Sequence, residues 1–223
     1  MATPPSATST PISSDPVTHF SGKSRTLFVG DVHGCADELK LLLKETAPSR
    51  VILIGDMFTK GQKPLGVWKL IKKWKIEAVF GNHEAKLLQE YRAGKHQKYP
   101  KKMIEWVKTL PLWIEEEGFL AVHAGVNPFF PEQTLRTTAI VVRRWPDDSD
   151  LQNPFWWQLY QGKKLIIYGH DAPRKLQDYR PRTLGLDTGC VYGGYLTGYL
   201  LEEDRLVQVK AKQAYCSIQH KNI

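Results

Sequence analysis

The strongest constraint on how this chain can fold is a repeated coincidence: five short apolar runs each stop on a side chain that can bind a metal ion. Leu27-Phe28-Val29 runs into Gly30-Asp31-Val32-His33-Gly34, and Val51-Ile52-Leu53-Ile54-Gly55 runs into Asp56. The run 77–80 stops at Gly81-Asn82-His83-Glu84, the run 118–122 at His123, and the run 165–168 at Gly169-His170. Of seven histidines, four occupy these ends, while His19, His96 and His220 fall elsewhere. A lone histidine is usually a satisfied polar residue, but chance does not sort histidines this way. Open α/β sheets bind ligands in the crevice beyond their strand ends, so the pattern predicts strands whose ends converge on one metal site.

Between these runs the apolar spacing lengthens to the helical period. Strand 26–30, helix 36–46 with Leu39, Leu42 and Leu43 inward, strand 51–55 and helix 65–74 open the predicted order. Strand 77–80, helices 84–92 and 101–109 and strand 118–122 follow, and strands at 165–168, 183–187, 194–202 and 205–211 close it. Strand and helix alternate early and strands succeed one another late, which predicts an α/β fold, a sheet layered by helices with antiparallel additions. Residues 126–162 break the rhythm and read as an insertion or lid. Residues 1–22, rich in Ser, Thr and Pro with Asp15 as their only charge, read as a disordered leader. That leaves 23–223 as a single catalytic domain.

Composition narrows the setting. Cys35, Cys190 and Cys216 are too few for a disulfide framework and form no CxxC pair. No apolar run reaches membrane-spanning length, and neither a secretory nor a transit signal shows at the N-terminus. A reducing, cytoplasmic location without a membrane partner is the expectation. The net charge of +8 suits a polyanionic partner: a phosphate-containing small molecule or nucleotide, an RNA 5′ end or a phosphoprotein. Lysine runs such as Lys72-Lys73 and Lys101-Lys102 serve solubility equally well. Oligomeric state leaves no trace in the sequence.

The residue types at the strand ends suit one chemistry. Two divalent ions about 3.5–4 Å apart need a bridging carboxylate and mixed oxygen and nitrogen ligands, so that they can clamp a phosphoryl group and lower the pKa of a water. Asp56 is the natural bridge. Asp31 and His33 complete the shell of one ion, and Asn82, His123 and His170 that of the other. His83, beside a ligand Asn and followed by Glu84 at a helix start, is placed to protonate a leaving oxygen as a general acid.

Gly30-Asp31-Val32-His33-Gly34, the stretch Gly55-Asp56-Met57-Phe58-Thr59-Lys60-Gly61, Gly81-Asn82-His83-Glu84, Val122-His123-Ala124-Gly125 and Tyr168-Gly169-His170 together resemble the phosphoprotein-phosphatase branch of the calcineurin-like metallophosphoesterases. The resemblance covers nearly all of the chain after about residue 25. It implies a central β-sandwich flanked by helices, four layers in all, with a dinuclear metal site often occupied by manganese; zinc, iron, cobalt and magnesium are the alternatives. It also implies direct attack of metal-bound hydroxide on phosphorus. The commoner second motif, GDxVDRG, has an Asp that orients the catalytic His and an Arg that holds phosphate; Thr59 and Lys60 stand there in this chain. Lys at this place, with Gly169-His170-Asp171-Ala172 and Gly185-Leu186-Asp187-Thr188-Gly189-Cys190, resembles the ApaH-like phosphatases. The usual Pro after Lys-Gly is replaced by Gln62. That group is linked with diadenosine tetraphosphate hydrolysis, RNA cap removal and polyphosphate cleavage.

The resemblance implies a phosphate-contacting arginine from the insertion, which Arg143 or Arg144 can supply because a planar guanidinium matches phosphate oxygens. Lys60, Asn82, Arg143 and Arg144 are thus the expected substrate contacts, with His83, Lys60, Arg143 and Arg144 acting on the reacting group. Trp145, Phe155, Trp156 and Trp157 can stack a base or pack the insertion, and packing is the favoured reading. Asp187 is a candidate support for His170 or another ligand, and Cys35 reads as helix-start packing. The expected function is metal-dependent hydrolysis of a phosphoanhydride in dinucleoside polyphosphates such as diadenosine tetraphosphate. A protein Ser/Thr or Tyr phosphatase on the same dinuclear site is the first alternative, an RNA cap or polyphosphate hydrolase the second. A nucleic-acid-binding module is the non-enzymatic rival.

Overall fold

The computed structural model describes residues 24–95, 97 and 99–217; the expected leader 1–22, with His19, and also His96 and His220 lie outside the described residues. Strands β1 (Thr26–Val29), β2 (Arg50–Leu53) and β3 (Glu77–Ala78) run parallel. A second group comprises β4 (Trp113–Glu115), β5 (Phe119–Val122), β6 (Leu165–Tyr168), β7 (Gln177–Tyr179) and β8 (Thr183–Gly185). The last strands are β9 (Tyr195–Leu200) and β10 (Arg205–Lys210). They form two five-stranded sheets, ordered β10-β9-β1-β2-β3 and β4-β5-β6-β8-β7. In the second sheet β5, β6 and β8 are parallel, with β4 and β7 antiparallel at the edges.

The period of two along each strand explains the layering. Leu27, Val29 and Leu53 point to one side, into a core shared with α1 (Ala36–Thr46), α2 (Pro64–Trp74), α3 (Asn82–Arg92) and α4 (Lys101–Lys108). Phe28, Ile52 and Ile54 point to the other and meet Phe119, Ala121, Leu165, Ile167 and Leu184 of the second sheet. Phe28 packs edge-on against Phe119, with ring centres 4.9 Å apart. The alternation continues outward: Leu120, Val122, Ile166 and Tyr168 face the segment 126–162. Its helices α5 (Arg136–Val141) and α6 (Trp156–Leu159) bring Ala139, Trp156 and Trp157 to that face. Helices, sheet, sheet and the segment carrying α5 and α6 make the four expected layers of a β-sandwich flanked by helices.

Local chemistry starts and stops the helices. Asp37 and Glu38 fill the first turn of α1, Lys44 the last, matching the helix dipole. Ala47 then turns left-handed and ends the helix with its N–H on the Leu43 carbonyl. Pro64 opens α2 at a position where no amide hydrogen is needed.

Four elements differ from the sequence reading. The edge strands β4 and β7 span only three residues each, too few for an alternation to register. Helix α5 carries two threonines and a valine in six residues, a composition that disfavours helix on local grounds. Burial of Ala139 against the second sheet overrides that preference. Strand 77–80 is shortened to Glu77–Ala78. Trp156 and Trp157 are buried, as the packing reading expects, whereas Trp145 and Phe155 are half-buried. Among the described residues, no helix is long and apolar enough to cross a membrane.

Candidate metal centre

Because β1, β2 and β3 run parallel to one another, as do β5 and β6 in the second sheet, their C-terminal ends gather on one edge of the sandwich. Asp56, 2% exposed, stands at the middle. Its Oδ2 lies 3.5 Å from His33 Nε2 and 3.9 Å from His83 Nε2, and its Oδ1 lies 3.4 Å from His123 Nε2. Donor atoms of His33, Asp56 and His83 fall within 4.8 Å of one another, and so do those of Asp56, His123 and His170. Two donor groups therefore share one carboxylate. Asp31 Oδ2 stands 3.8 Å from His33 Nε2, and Asn82 Oδ1 stands 2.9 Å from His123 Nε2. The structure thus brings together Asp31, His33, Asp56, Asn82, His123 and His170, with His83 beside them.

Backbone conformation and the contacts behind the donors hold this arrangement. His33, Asp56, Lys60 and His170 all have positive φ, at 43°, 51°, 63° and 69°, which costs about 1–3 kcal/mol each for residues with a side chain. The surroundings over-determine these turns. His123 Nδ1 donates to the Ile54 carbonyl at 2.7 Å, leaving Nε2 with a free lone pair. The Val141 backbone at the end of α5 lies close enough to the His170 ring to raise its pKa against the lowering by burial, so segment 126–162 reaches the cluster. Asp31 Oδ1 accepts the His170 backbone N–H at 3.1 Å. The preceding residue must be glycine, because a Cβ on Gly169 would lie 2.2 Å from that oxygen.

Glu84 has a larger part than its place at a helix start suggested. Fully buried, it accepts the backbone N–H groups of Asp56 at 2.7 Å, Met57 at 2.9 Å and Gly81 at 3.1 Å. One carboxylate thereby ties the end of β2 to the start of α3. A Glu at the third helical position is the sequence signal for such reach-back, though not for its reach into a second loop. Thr59, in place of an anionic residue, sets its hydroxyl 2.8 Å from His83 Nδ1 and 3.1 Å from His33 Nδ1. An uncharged group therefore joins the two rings.

The electrostatics are those of a cluster built around cations. Burial pushes Asp56 up to about 7 and Asp187 up to about 6. Burial and the neighbouring carboxylates Asp187 and Asp56 hold Asp31 well above the ordinary range. Burial, then the Lys60 charge, pushes His83 down to about 3, and burial lowers His33, His123 and His170 as well. Carboxylates crowded beyond what water would tolerate, among imidazoles with open lone pairs, fit divalent ions, whose charge relieves both. The mixed oxygen and nitrogen donor set suits manganese, iron or zinc. Lys60 already lends the cluster one positive charge, its Nζ 3.2 Å from His33 Nε2. Burial works against that charge, but the Tyr192 hydroxyl and the Asp56 and Asp31 carboxylates hold its pKa above the ordinary lysine value.

The two arginines separate. Arg143 carries charge close enough to depress His170, and its Nε donates to Asp148 at 3.1 Å. Arg144 lies over the Phe155 ring at 4.1 Å and donates to the Asn153 carbonyl at 2.5 Å, engaged by the insertion. A sixth strand end also joins the cluster: Asp187, beyond β8, is 6% exposed and raises Asp31 by repulsion. The same apolar-run signal, Thr183-Leu184-Gly185-Leu186 before an Asp, marks it.

A β-sandwich whose parallel strand ends surround a shared buried carboxylate with imidazoles defines a class, the metal-dependent phosphoesterases. The chain matches the calcineurin-like phosphoesterase family over residues 24–209 and belongs to it. It is therefore a metal-dependent hydrolase acting on phosphoester-type bonds, and the family uses a dinuclear metal site. Among its relatives, the symmetrical bis(5′-nucleosyl)-tetraphosphatase of Actinobacillus pleuropneumoniae is 35% identical, covering 81% of this chain and 97% of that protein. The asymmetrical bis(5′-nucleosyl)-tetraphosphatase PrpE of Bacillus subtilis is 27% identical, over 84% and 95% respectively. A crystal structure described as a candidate diadenosine tetraphosphatase superposes with a TM-score of 0.79 at 28% identity, covering 84% of this chain and 94% of that one. A protein serine/threonine phosphatase from Saccharomyces cerevisiae, at 13% identity and a TM-score of 0.59 over 92% and 84%, shares the fold.

Proposed function

We propose that the chain hydrolyses a phosphoanhydride bond in dinucleoside polyphosphates such as diadenosine tetraphosphate. The observation that carries this reading is the Thr59 hydroxyl, 2.8 Å from His83 Nδ1, where an anionic partner would hold the ring protonated. His83 is neutral at physiological pH and so is a weak acid. A nucleoside phosphate is a stable anion, and a hydrogen bond suffices to assist its departure. An alcohol leaving group, as in a phosphoserine, needs a full proton.

Asp31, His33 and Asp56 would hold one divalent ion, and Asp56, Asn82, His123 and His170 the other, manganese being the proposed metal. Bound there, the ions would polarise the phosphoryl oxygens and lower the pKa of a water. The chain's own groups do the rest. With His33 Nε2 given to an ion, its Nδ1–H would donate to Thr59 Oγ1, the Thr59 hydroxyl would donate to His83 Nδ1, and His83 would keep its proton on Nε2. That N–H faces Asp56 and the reacting group, where it donates to the leaving oxygen. Lys60 and Arg143 neutralise charge developing on the phosphoryl oxygens. Arg144 acts through the insertion, and Asn82 contributes to the substrate side as well as to the metal.

A cleft of about 590 Å³ opens beside Asn82, between α3 and α5, lined by Lys86, Gln89, Lys95, Ile140 and Val141. Its lysines suit the far phosphates and its apolar wall a nucleoside. Segment 126–162 forms one side of it and selects the substrate.

A chelated and then manganese-supplemented preparation, offered diadenosine tetraphosphate, capped RNA, polyphosphate and a phosphoserine peptide, tests the reading. Turnover of the dinucleotide well above the others is expected, and the products, two ADP or ATP with AMP, give the bond cleaved. Activity confined to the phosphopeptide would overturn it.

A further inference from the structure

A second donor cluster lies behind the first, and the mechanism makes no use of it. Cys35 immediately precedes α1, and Glu38 is the third residue of that helix, so the two share a helical face. Cys190 follows β8 in the turn that begins at Asp187. The three side chains are buried, at 2%, 0% and 1% exposure, and one donor atom of each lies within 4.8 Å of the others. These are the only thiol-containing donors so grouped among the described residues.

The Glu38 carboxylate is incompletely satisfied. Its Oε1 accepts the Tyr215 hydroxyl at 2.6 Å and the Lys212 backbone N–H at 3.1 Å. Its Oε2 is hidden from solvent and has no hydrogen-bond partner among the described residues; neither thiol stands where it donates to that oxygen. Around it Cys35, Ala36, Leu39, Cys190, Val191 and Ala211 belong to one apolar core. A bare carboxylate oxygen in such surroundings calls for a partner. A cavity of about 210 Å³, lined by Gly34, Cys35, Glu38, Lys63, Lys212 and Tyr215, reaches the cluster from the surface.

We propose that Cys35, Glu38 and Cys190 bind a single zinc ion, distinct from the metal pair around Asp56. Two thiolates and a carboxylate are a zinc donor set, with a fourth position left to water, which the cavity supplies. The donors around Asp56 are oxygen and nitrogen only, so the two places select metals differently. Binding forms two Zn–S bonds and one Zn–O bond and releases the two thiol protons to solvent. The ion joins the residue after Asp31-Val32-His33-Gly34 to the turn after Asp187. It thus braces two of the strand ends that carry the metal centre, independently of which phosphoanhydride is cleaved.

Cobalt substitution of the full chain tests this without relying on activity. With the oxygen and nitrogen sites filled, further Co²⁺ should give a thiolate-to-cobalt charge-transfer absorption that saturates at one ion per chain and is displaced by Zn²⁺. The band should vanish in Cys190→Ser, weaken in Glu38→Gln and persist in Cys216→Ser. Metal analysis should count one zinc fewer in Cys190→Ser than in the unaltered chain. Absence of the band in the unaltered chain overturns the proposal, whatever the variants do. So does a band that survives Cys190→Ser, or a mass showing Cys35 and Cys190 joined as a disulfide in reducing buffer.

Discussion

At the scale of single residues, Thr59 carries the sharpest prediction. It stands between two imidazoles, 3.1 Å from His33 and 2.8 Å from His83, and groups in that role typically contribute about 10–100-fold to metal affinity or activity. Thr59→Val should lower kcat for the dinucleotide by about that factor, with Thr59→Ser restoring most of it. Thr59→Asp, by favouring a protonated His83, should raise the rate ratio of phosphoserine peptide to dinucleotide by about tenfold or more. Steady-state kinetics at matched metal content checks both, and an unchanged ratio in Thr59→Asp would remove the argument from leaving-group stability. The strand-end histidines were legible in the sequence because their neighbours are apolar runs. The bridging by Thr59 was not, because the two rings it joins are 50 residues apart in the chain.

At the scale of elements, segment 126–162 is a layer of the fold. Trp156 is fully buried and its indole N–H donates to the Ala124 carbonyl at 3.1 Å, while the Ala124 N–H donates to Ala139 of α5 at 2.8 Å. The turn behind His123 is therefore held from the insertion side. Trp156→Ala should destabilise the chain by about 3–5 kcal/mol, the usual cost of emptying a large aromatic site. Urea unfolding at saturating metal measures it, and a loss under about 1 kcal/mol would mean that the layer packs loosely. Continuous apolar runs made β1, β2, β5 and β6 readable in advance. The edge strands β4 and β7 and helix α5 were not, since three-residue strands carry no periodicity and α5 owes its form to Ala139 being buried.

For the whole molecule, metal uptake and stability are coupled through buried carboxylates. Asp56 ionises near 3.8 in an unfolded chain and at about 7 in the metal-free fold, raised by burial. Glu84, raised by burial and by Asp56, goes from 4.5 to about 7. Their folded-state penalty is absent below the unfolded values, sets in as pH rises, and is complete above about 7. Divalent ions remove it, while the site imidazoles, already neutral in the metal-free fold, have no proton to release. The increase in Tm on adding manganese should therefore grow as pH rises from about 5 to about 7. Calorimetry with and without chelator checks the trend, and a larger stabilisation in acid would contradict it.

The sequence by itself determined which side chains meet. Strands that are apolar on both faces must be covered on both sides, parallel strands must end on the same edge, and whatever stands at those ends is gathered there. Asp31, His33, Asp56, Asn82, His123 and His170 follow from that logic, and so does Asp187. Only the tertiary structure decided how those groups are held and which charges they feel. It drew Glu84 across to the β2 turn, put Thr59 between two rings, set Arg143 toward His170 and Arg144 against Phe155, and left one Glu38 oxygen bare among thiols. These are contacts between residues far apart in the chain, in a buried setting where the energy of each group depends on neighbours that no local pattern names.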